Sequence, residues 1–195
     1  MIKGDTLKIR FAEMLDRDST MYTTNYRSPK STDYYVAAKN GIITYKPTFT
    51  FHGYQYVELS GYAKGAKPEK SWVKSIVQYS NFKKNGTFES SHEKLNQLQS
   101  NISWGLKGNF FDIPTDCPQR DERLGWTGDA QIIAPTSMFH NNMYAFWAGW
   151  LQSMRYEQFE DGGIPWVVPN NLGKRHSSGW ADAIVIIPWE LYFRT

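Results

Sequence analysis

The sequence has one cysteine, Cys117, in 195 residues. No intrachain disulfide is possible, and no cysteine-based metal site can form. Cys117 has no adjacent histidine to activate it as a nucleophile, so a small buried side chain is expected. The four histidines (His52, His92, His140, His176) show no close ligand spacing, which argues against structural zinc. No run approaches the roughly 18 apolar residues that a membrane span needs. The first residues, Met1-Ile2-Lys3-Gly4-Asp5, lead into no hydrophobic secretory segment, so a cytoplasmic location is expected. Charge of one sign is also scarce. The net charge is +3, from 22 basic and 19 acidic side chains, too small and too evenly mixed for a nucleic-acid surface. Lys64, Lys67, Lys70 and Lys74 are separated by Gly, Pro and Ser, as in a solvated loop.

Aromatic residues are abundant, at 16% of the chain. Their flat faces suit the apolar side of a pyranose, and they suit a packed core equally well. Two halves differ in period. In the first, short segments of β character follow one another at 6–15, 33–38, 42–45, 48–52, 54–59 and 73–79, divided by Gly, Pro and Asn. Strands at such spacing predict a small or incomplete β-sandwich. Beyond Gly86 the period turns helical. Ser90 and Glu93 have the spacing of a capping box, and Leu95, Leu98, Ile102 and Leu106 fall on one helical face. Helices are predicted at 130–138 and 142–159. In the second, Met143, Trp147, Trp150, Leu151 and Met154 form a stripe better suited to a core than to a ligand platform. A last apolar segment, 180–192, contains Pro188, which is expected to kink or end a helix.

Between these helices lies the densest chemistry in the chain, residues 116–129 (DCPQRDERLGWTGD). Asp116, Asp121, Glu122 and Asp129 supply carboxylates, Arg120 and Arg123 supply guanidinium groups, and Trp126 offers a flat apolar face. Surface ion pairs in a solvated loop would explain the charges alone. They would not explain why Pro118, Gly125 and Gly128 restrict the same backbone just before a helix. Glycoside hydrolysis needs one carboxylic acid to protonate the leaving oxygen and a second carboxylate to activate water or attack carbon. It also needs polar groups for sugar hydroxyls and an aromatic face for the ring.

Residues 115–131 (TDCPQRDERLGWTGDAQ) resemble the signature of the bacterial α-L-rhamnosidases, inverting enzymes of glycoside hydrolase family 78. The segments FAEM (11–14), YTTNYRSPKSTDYY (22–35) and PTFTFHGYQYVEL (47–59) are similar to that family's concanavalin-like β-domain. FESSHEKLNQLQSN (88–101), NFFDIP (109–114), DGGIPWVVP (161–169) and GWADAIVIIPWEL (179–191) resemble the start of its (α/α)6 barrel. The resemblance implies a β + α multidomain chain: a partial concanavalin-like β-sandwich over 1–82, then the first helices of an (α/α)6-barrel catalytic domain over 83–195. It implies a substrate bearing a terminal α-L-rhamnosyl unit and no metal or organic cofactor. Asp129 matches the general acid, with Glu122 as the alternative proton donor. Asp116, Arg120 and Glu122 match positions that bind the sugar hydroxyls or tune the acid, Asp121 is a further substrate-binding candidate, Trp126 supports the ring, and Trp180 and Asp182 are candidates for closing the pocket.

An inverting enzyme also needs a general base across the ring, roughly 6.5–9.5 Å from the acid. In the family resembled here that glutamate lies late in the barrel, and a barrel of about twelve ordinary helices needs far more chain than follows Gly86. The expectation is therefore a truncated enzyme that carries the acid-side half-site without the base and is inactive alone. An exposed apolar barrel face would favour self-association. A non-catalytic carbohydrate-binding or structural module, or an (α/α)6-barrel glycosidase for another sugar, are the competing expectations.

Overall fold

The structure, a computed structural model, describes residues 1–194. The chain divides into two units: Met1–Ile76 with Pro118–Asp121, and Val77–Cys117 with the chain from Glu122 onward.

The first unit is built on a three-stranded antiparallel sheet in the order β4-β1-β5, with β1 at Thr6–Ala12, β4 at Thr32–Val36 and β5 at Tyr56–Ser60. A two-residue pair, β2 (Met14–Leu15) with β3 (Met21–Tyr22), adjoins it. The alternation in β1 sets the register: Ile9 lies between Asp33 and Leu59, and Arg10 between Thr32 and Glu58. One face thus carries Leu7, Ile9 and Phe11. The Phe11 ring stacks on His52, with centroids 4.3 Å apart. His52 Nε2 in turn lies 2.9 Å from Asp33 Oδ1. Tyr26 is fully enclosed and donates its hydroxyl to the Gly53 carbonyl at 3.2 Å. Burial pushes that phenol up to about 12.

Three of the expected strands do not form. Residues 42–45, 48–52 and 73–79 carry β-forming side chains but have no ladder partner. Ile42 and Phe49 are wholly exposed, and Phe49 has φ +62°. Propensity for an extended backbone needs a pairing edge and a face to bury before it becomes a strand.

The second unit contains α1 (Glu93–Asn109), a small hairpin of β6 (Phe110–Phe111) and β7 (Ile113–Pro114), then α2 (Thr127–His140), α3 (Tyr144–Tyr156) and α4 (Ala183–Arg194). The capping box expected at Ser90 is absent, because the helix begins at Glu93 itself and Ser90 lies outside it. The Asn96 side chain brackets Ser90 instead, accepting its N–H at 2.9 Å and donating to its carbonyl at 2.8 Å. Of the expected α1 stripe, Leu106 is buried and Ile102 packs on the core, whereas Leu95 and Leu98 are about half exposed.

The stripe on α3 is core, as its sequence suggests: Met143, Trp147, Trp150 and Met154 are all buried. Trp147 is fully enclosed, edge-on to Phe110 and Trp150, and its indole N–H donates to Ser137 Oγ at 2.9 Å. That bond lets a polar ring edge sit in an apolar core without an unsatisfied donor. Helix α4 packs on α2 and α3, with Ala183, Ile187 and Leu191 inward. Pro188 does not end it, and the helix runs on to Arg194. The missing N–H frees only the carbonyl one turn back, and tertiary packing holds the helix across the gap.

Candidate active site

The site is assembled from the end of α1 and the start of α2. Asn109 closes α1, and its carbonyl accepts both the N–H and the hydroxyl of Thr115, at 2.9 and 2.8 Å. Asp116 then joins Leu124 twice: its N–H donates to the Leu124 carbonyl at 3.3 Å, and its Oδ1 accepts the Leu124 N–H at 3.2 Å. The excursion between them is thereby shut at its base. Cys117 lies buried there, as expected for an inert thiol. Trp126 turns its indole N–H onto the Glu122 carbonyl at 3.2 Å.

The two glycines of the motif are set by contact. A Cβ on Gly125 would stand 2.1 Å from the Val168 carbonyl oxygen, and one on Gly128 would stand 2.8 Å from the Trp180 indole. Gly125 and Val168 also share a backbone hydrogen bond of 2.9 Å, and Trp126 bridges to Val167. Val167 and Val168 therefore lie antiparallel to Gly125 and Trp126, the residues that lead into α2.

Asp129 sits in the first turn of α2. The residue is exposed, yet its carboxyl is held above the usual carboxylate range, first by partial burial and then by the like charges of Asp116 and Glu122. A backbone amide pulls the other way, as does the positive end of the helix, and both are outweighed. Eight residues earlier, Asp121 moves in the opposite direction. Within the first unit it accepts the Ser28 hydroxyl at 2.7 Å and lies 3.8 Å from Arg27 Nη1, and these partners hold it below the usual range. One motif thus carries an acid disposed to keep its proton and an acid disposed to lose it.

Asp116 and Asp129 share a pocket of about 600 Å³ between α1 and α2. Asn109, Thr115 and Thr136 contribute other polar side chains to its wall, and Leu106, Ile132 and Ile133 part of its apolar wall. Glu122, Trp126, Trp180 and Asp182 do not line it. Trp180 covers Gly128, and Asp182 precedes α4, its carbonyl accepting the N–H groups of Val185 and Ile186, each at 2.9 Å. Arg120 and Asp121 belong to the first unit. Sequence reasoning did not single out Asn109, whose Oδ1 is buried without a partner, or Thr127, whose contacts lie far along the chain. Among the described residues no cluster of His, Cys, Asp or Glu could hold a metal ion, and no helix is long and apolar enough to cross a membrane.

The helical unit and the β-unit each correspond to a known domain family. Residues 83–195 match the bacterial α-L-rhamnosidase 6 hairpin glycosidase domain, and residues 1–79 match the bacterial α-L-rhamnosidase concanavalin-like domain. The chain belongs to the bacterial α-L-rhamnosidase family.

It is 66% identical to an α-L-rhamnosidase of Formosa agariphila over 196 aligned residues, covering 100% of this chain and 21% of the relative. An α-L-rhamnosidase of Alteromonas sp. is 52% identical, over 99% of this chain and 21% of the relative. The crystal structure of Streptomyces avermitilis α-L-rhamnosidase complexed with L-rhamnose superposes with a TM-score of 0.92 at 42% identity, covering 98% of this chain and 19% of that one. The Aspergillus terreus enzyme gives 0.89 at 38% identity, covering 97% and 22%. The chain therefore spans about a fifth of the length of the relatives it matches.

Proposed function

We propose that this chain carries the acid side of an inverting α-L-rhamnosidase site, with Asp129 as the proton donor to the glycosidic oxygen. The observation that carries this is the Asp129 carboxyl at the pocket wall, its pKa raised by partial burial and by the like charges of Asp116 and Glu122. A general acid must hold its proton until the leaving oxygen develops charge, and such an environment does that. Within the helical unit, Asp116 grips sugar hydroxyls in this scheme, and Trp126, Trp180 and Asp182 are its further sugar-binding residues. Inversion requires a second carboxylate to activate water on the opposite face of the ring. We assign that base to chain beyond these residues, consistent with relatives of which this chain covers 21%. The substrate is a glycoside with a terminal α-L-rhamnosyl unit.

The test exchanges residues 1–195 for the matching segment of the Formosa relative and compares Asp129→Asn with Glu122→Gln. Loss of the acid should lower kcat by about 10²–10⁴-fold on an alkyl rhamnoside, whose leaving group needs the proton. It should lower kcat far less on p-nitrophenyl α-L-rhamnoside, with rhamnose binding retained. If Glu122→Gln shows that leaving-group pattern and Asp129→Asn does not, the proton donor is Glu122. Preference for another aryl glycoside would displace the rhamnoside assignment, and indifference to both substitutions would leave a binding module.

Self-association is part of the same proposal. Val185, Trp189 and Tyr192 on α4 are 69%, 60% and 78% exposed, an apolar face suited to a second copy. Sedimentation of the 195-residue chain should show concentration-dependent dimers, and a monomer at all concentrations would refute them.

A further inference from the structure

Helix α2 begins without a side-chain cap: the residue before it is Trp126, which makes no capping hydrogen bond. Such an end leaves backbone donors to be satisfied elsewhere. Here the partner is distant in sequence. The Thr127 N–H donates to the Trp166 carbonyl at 2.9 Å, and the Thr127 hydroxyl donates to the same carbonyl at 3.1 Å and lies 3.3 Å from that of Pro165. Thr127 is fully buried, as are Val167 and Val168 beside it. Trp166 is itself tied down, its N–H donating to the Arg175 carbonyl at 3.0 Å and its indole N–H to Ser177 Oγ at 2.9 Å. Two residues along, the Val168 carbonyl accepts the Trp150 indole N–H at 3.0 Å. The start of α2 is thus pinned to a segment that is pinned in turn to α3 and to residues 175–177.

We infer that Thr127 is a positioning residue for Asp129, fixing the helix start so that the carboxyl two residues on stands against Asp116 at the pocket wall. This rests on Asp129 as the proton donor proposed above. Removing the hydroxyl would set a methyl group against the buried carbonyls of Pro165 and Trp166, and the backbone must shift to relieve them. Displacement of a reacting group by about 1 Å can cost roughly 10²-fold in rate. A threonine that merely fills space would have no such effect, because valine has the same shape.

The test is a ¹³C NMR titration of the Asp129 carboxyl in the 195-residue chain, with Thr127→Val, Thr127→Ser and Ser177→Ala. Thr127→Val should move the Asp129 midpoint by about half a unit or more as the carboxyl leaves Asp116 and Glu122. The Asp161 midpoint should stay fixed, and Thr127→Ser should restore the wild-type value. Ser177→Ala, which frees only the Trp166 indole, should give a smaller shift in the same direction and serves alone if Thr127→Val does not fold. A folded Thr127→Val with an unmoved midpoint, or an unmoved midpoint in Ser177→Ala where valine is not tolerated, overturns the inference. In the chimaeric enzyme Thr127→Val should lower kcat about 10–100-fold with little change in KM. Failure of the proton-donor assignment looks different: Asp129→Asn would keep turnover while Thr127→Val still shifted the titration.

Discussion

In the first unit the fully enclosed side chains are few, Tyr26, Ala12 and Ala37 among them, and they lie round a sheet of three strands. In the second, Trp147, Met154, Ile187 and Val168 are enclosed within one continuous core. The first unit relies on ring stacking and on polar pairs such as His52 with Asp33. The second relies on indoles such as Trp147 and Trp150, whose N–H groups reach Ser137 Oγ and the Val168 carbonyl. A thin core leaves a side chain room to relax when a neighbour is cut away, and a deep one does not. The acid loop draws on both environments, Asp121 falling in the first unit and Asp129 in the second, and the two carboxyls titrate in opposite directions accordingly.

The contrast is broken most directly by truncation. Trp147→Ala empties the deep core and removes the indole donor from Ser137 Oγ, and it should cost about 3–5 kcal/mol. Phe11→Ala, at the lip of the thin core, should cost about 2–3 kcal/mol. Urea unfolding of both variants measures the difference, and equal costs would remove the distinction. A smaller effect comes from the two glycines that face backbone oxygen. Gly125→Ala meets the Val168 carbonyl at 2.1 Å in a buried setting, and Gly61→Ala meets that of Thr6 at 2.0 Å at an exposed strand end. Each should cost about 2–3 kcal/mol: at Gly125 the buried main chain cannot give way, and at Gly61 the exposed strand end can yield but φ +79° adds left-handed strain. A drop in Tm at only one of the two would break the parallel.

The smallest effect is electrostatic. Asp129 is raised, so the folded chain keeps a proton that the unfolded chain releases. Its contribution to stability is present below the ordinary carboxylate range and lost as pH climbs to the folded value. Asp129→Asn should therefore stabilise the protein at neutral pH, by less than about 1 kcal/mol given the solvent around it. Asp121 is lowered and has the opposite sign: its contribution is present above the ordinary range and lost as pH falls through the folded value. Thermal melts of Asp129→Asn and Asp121→Asn at pH 7 should move in opposite directions.

Strand β1 was legible because alternation is a local signal, and α3 because an apolar stripe is. The extended segments at 42–45, 48–52 and 73–79 misled because strand formation depends on an edge supplied from elsewhere. Glu93 misled in a different way, since capping-box spacing does not fix where the helix begins. Within the site, Asp116, Glu122, Trp126 and Asp129 stand close together in sequence and could be named from it. The grip of Trp166 on Thr127, the indole of Trp180 over Gly128 and the unpartnered oxygen of Asn109 come from distant chain or from packing, and no local pattern announces them.

Gly125 and Gly128 look alike in the sequence, yet they stand under different obligations. The obstacle at position 128 is a side chain, so an alanine there has a remedy: a second substitution that gives up the indole at 180. The obstacle at position 125 is the main chain of Val168, which every residue type possesses. The motif therefore contains one glycine open to exchange with a distant partner and one with nothing to exchange.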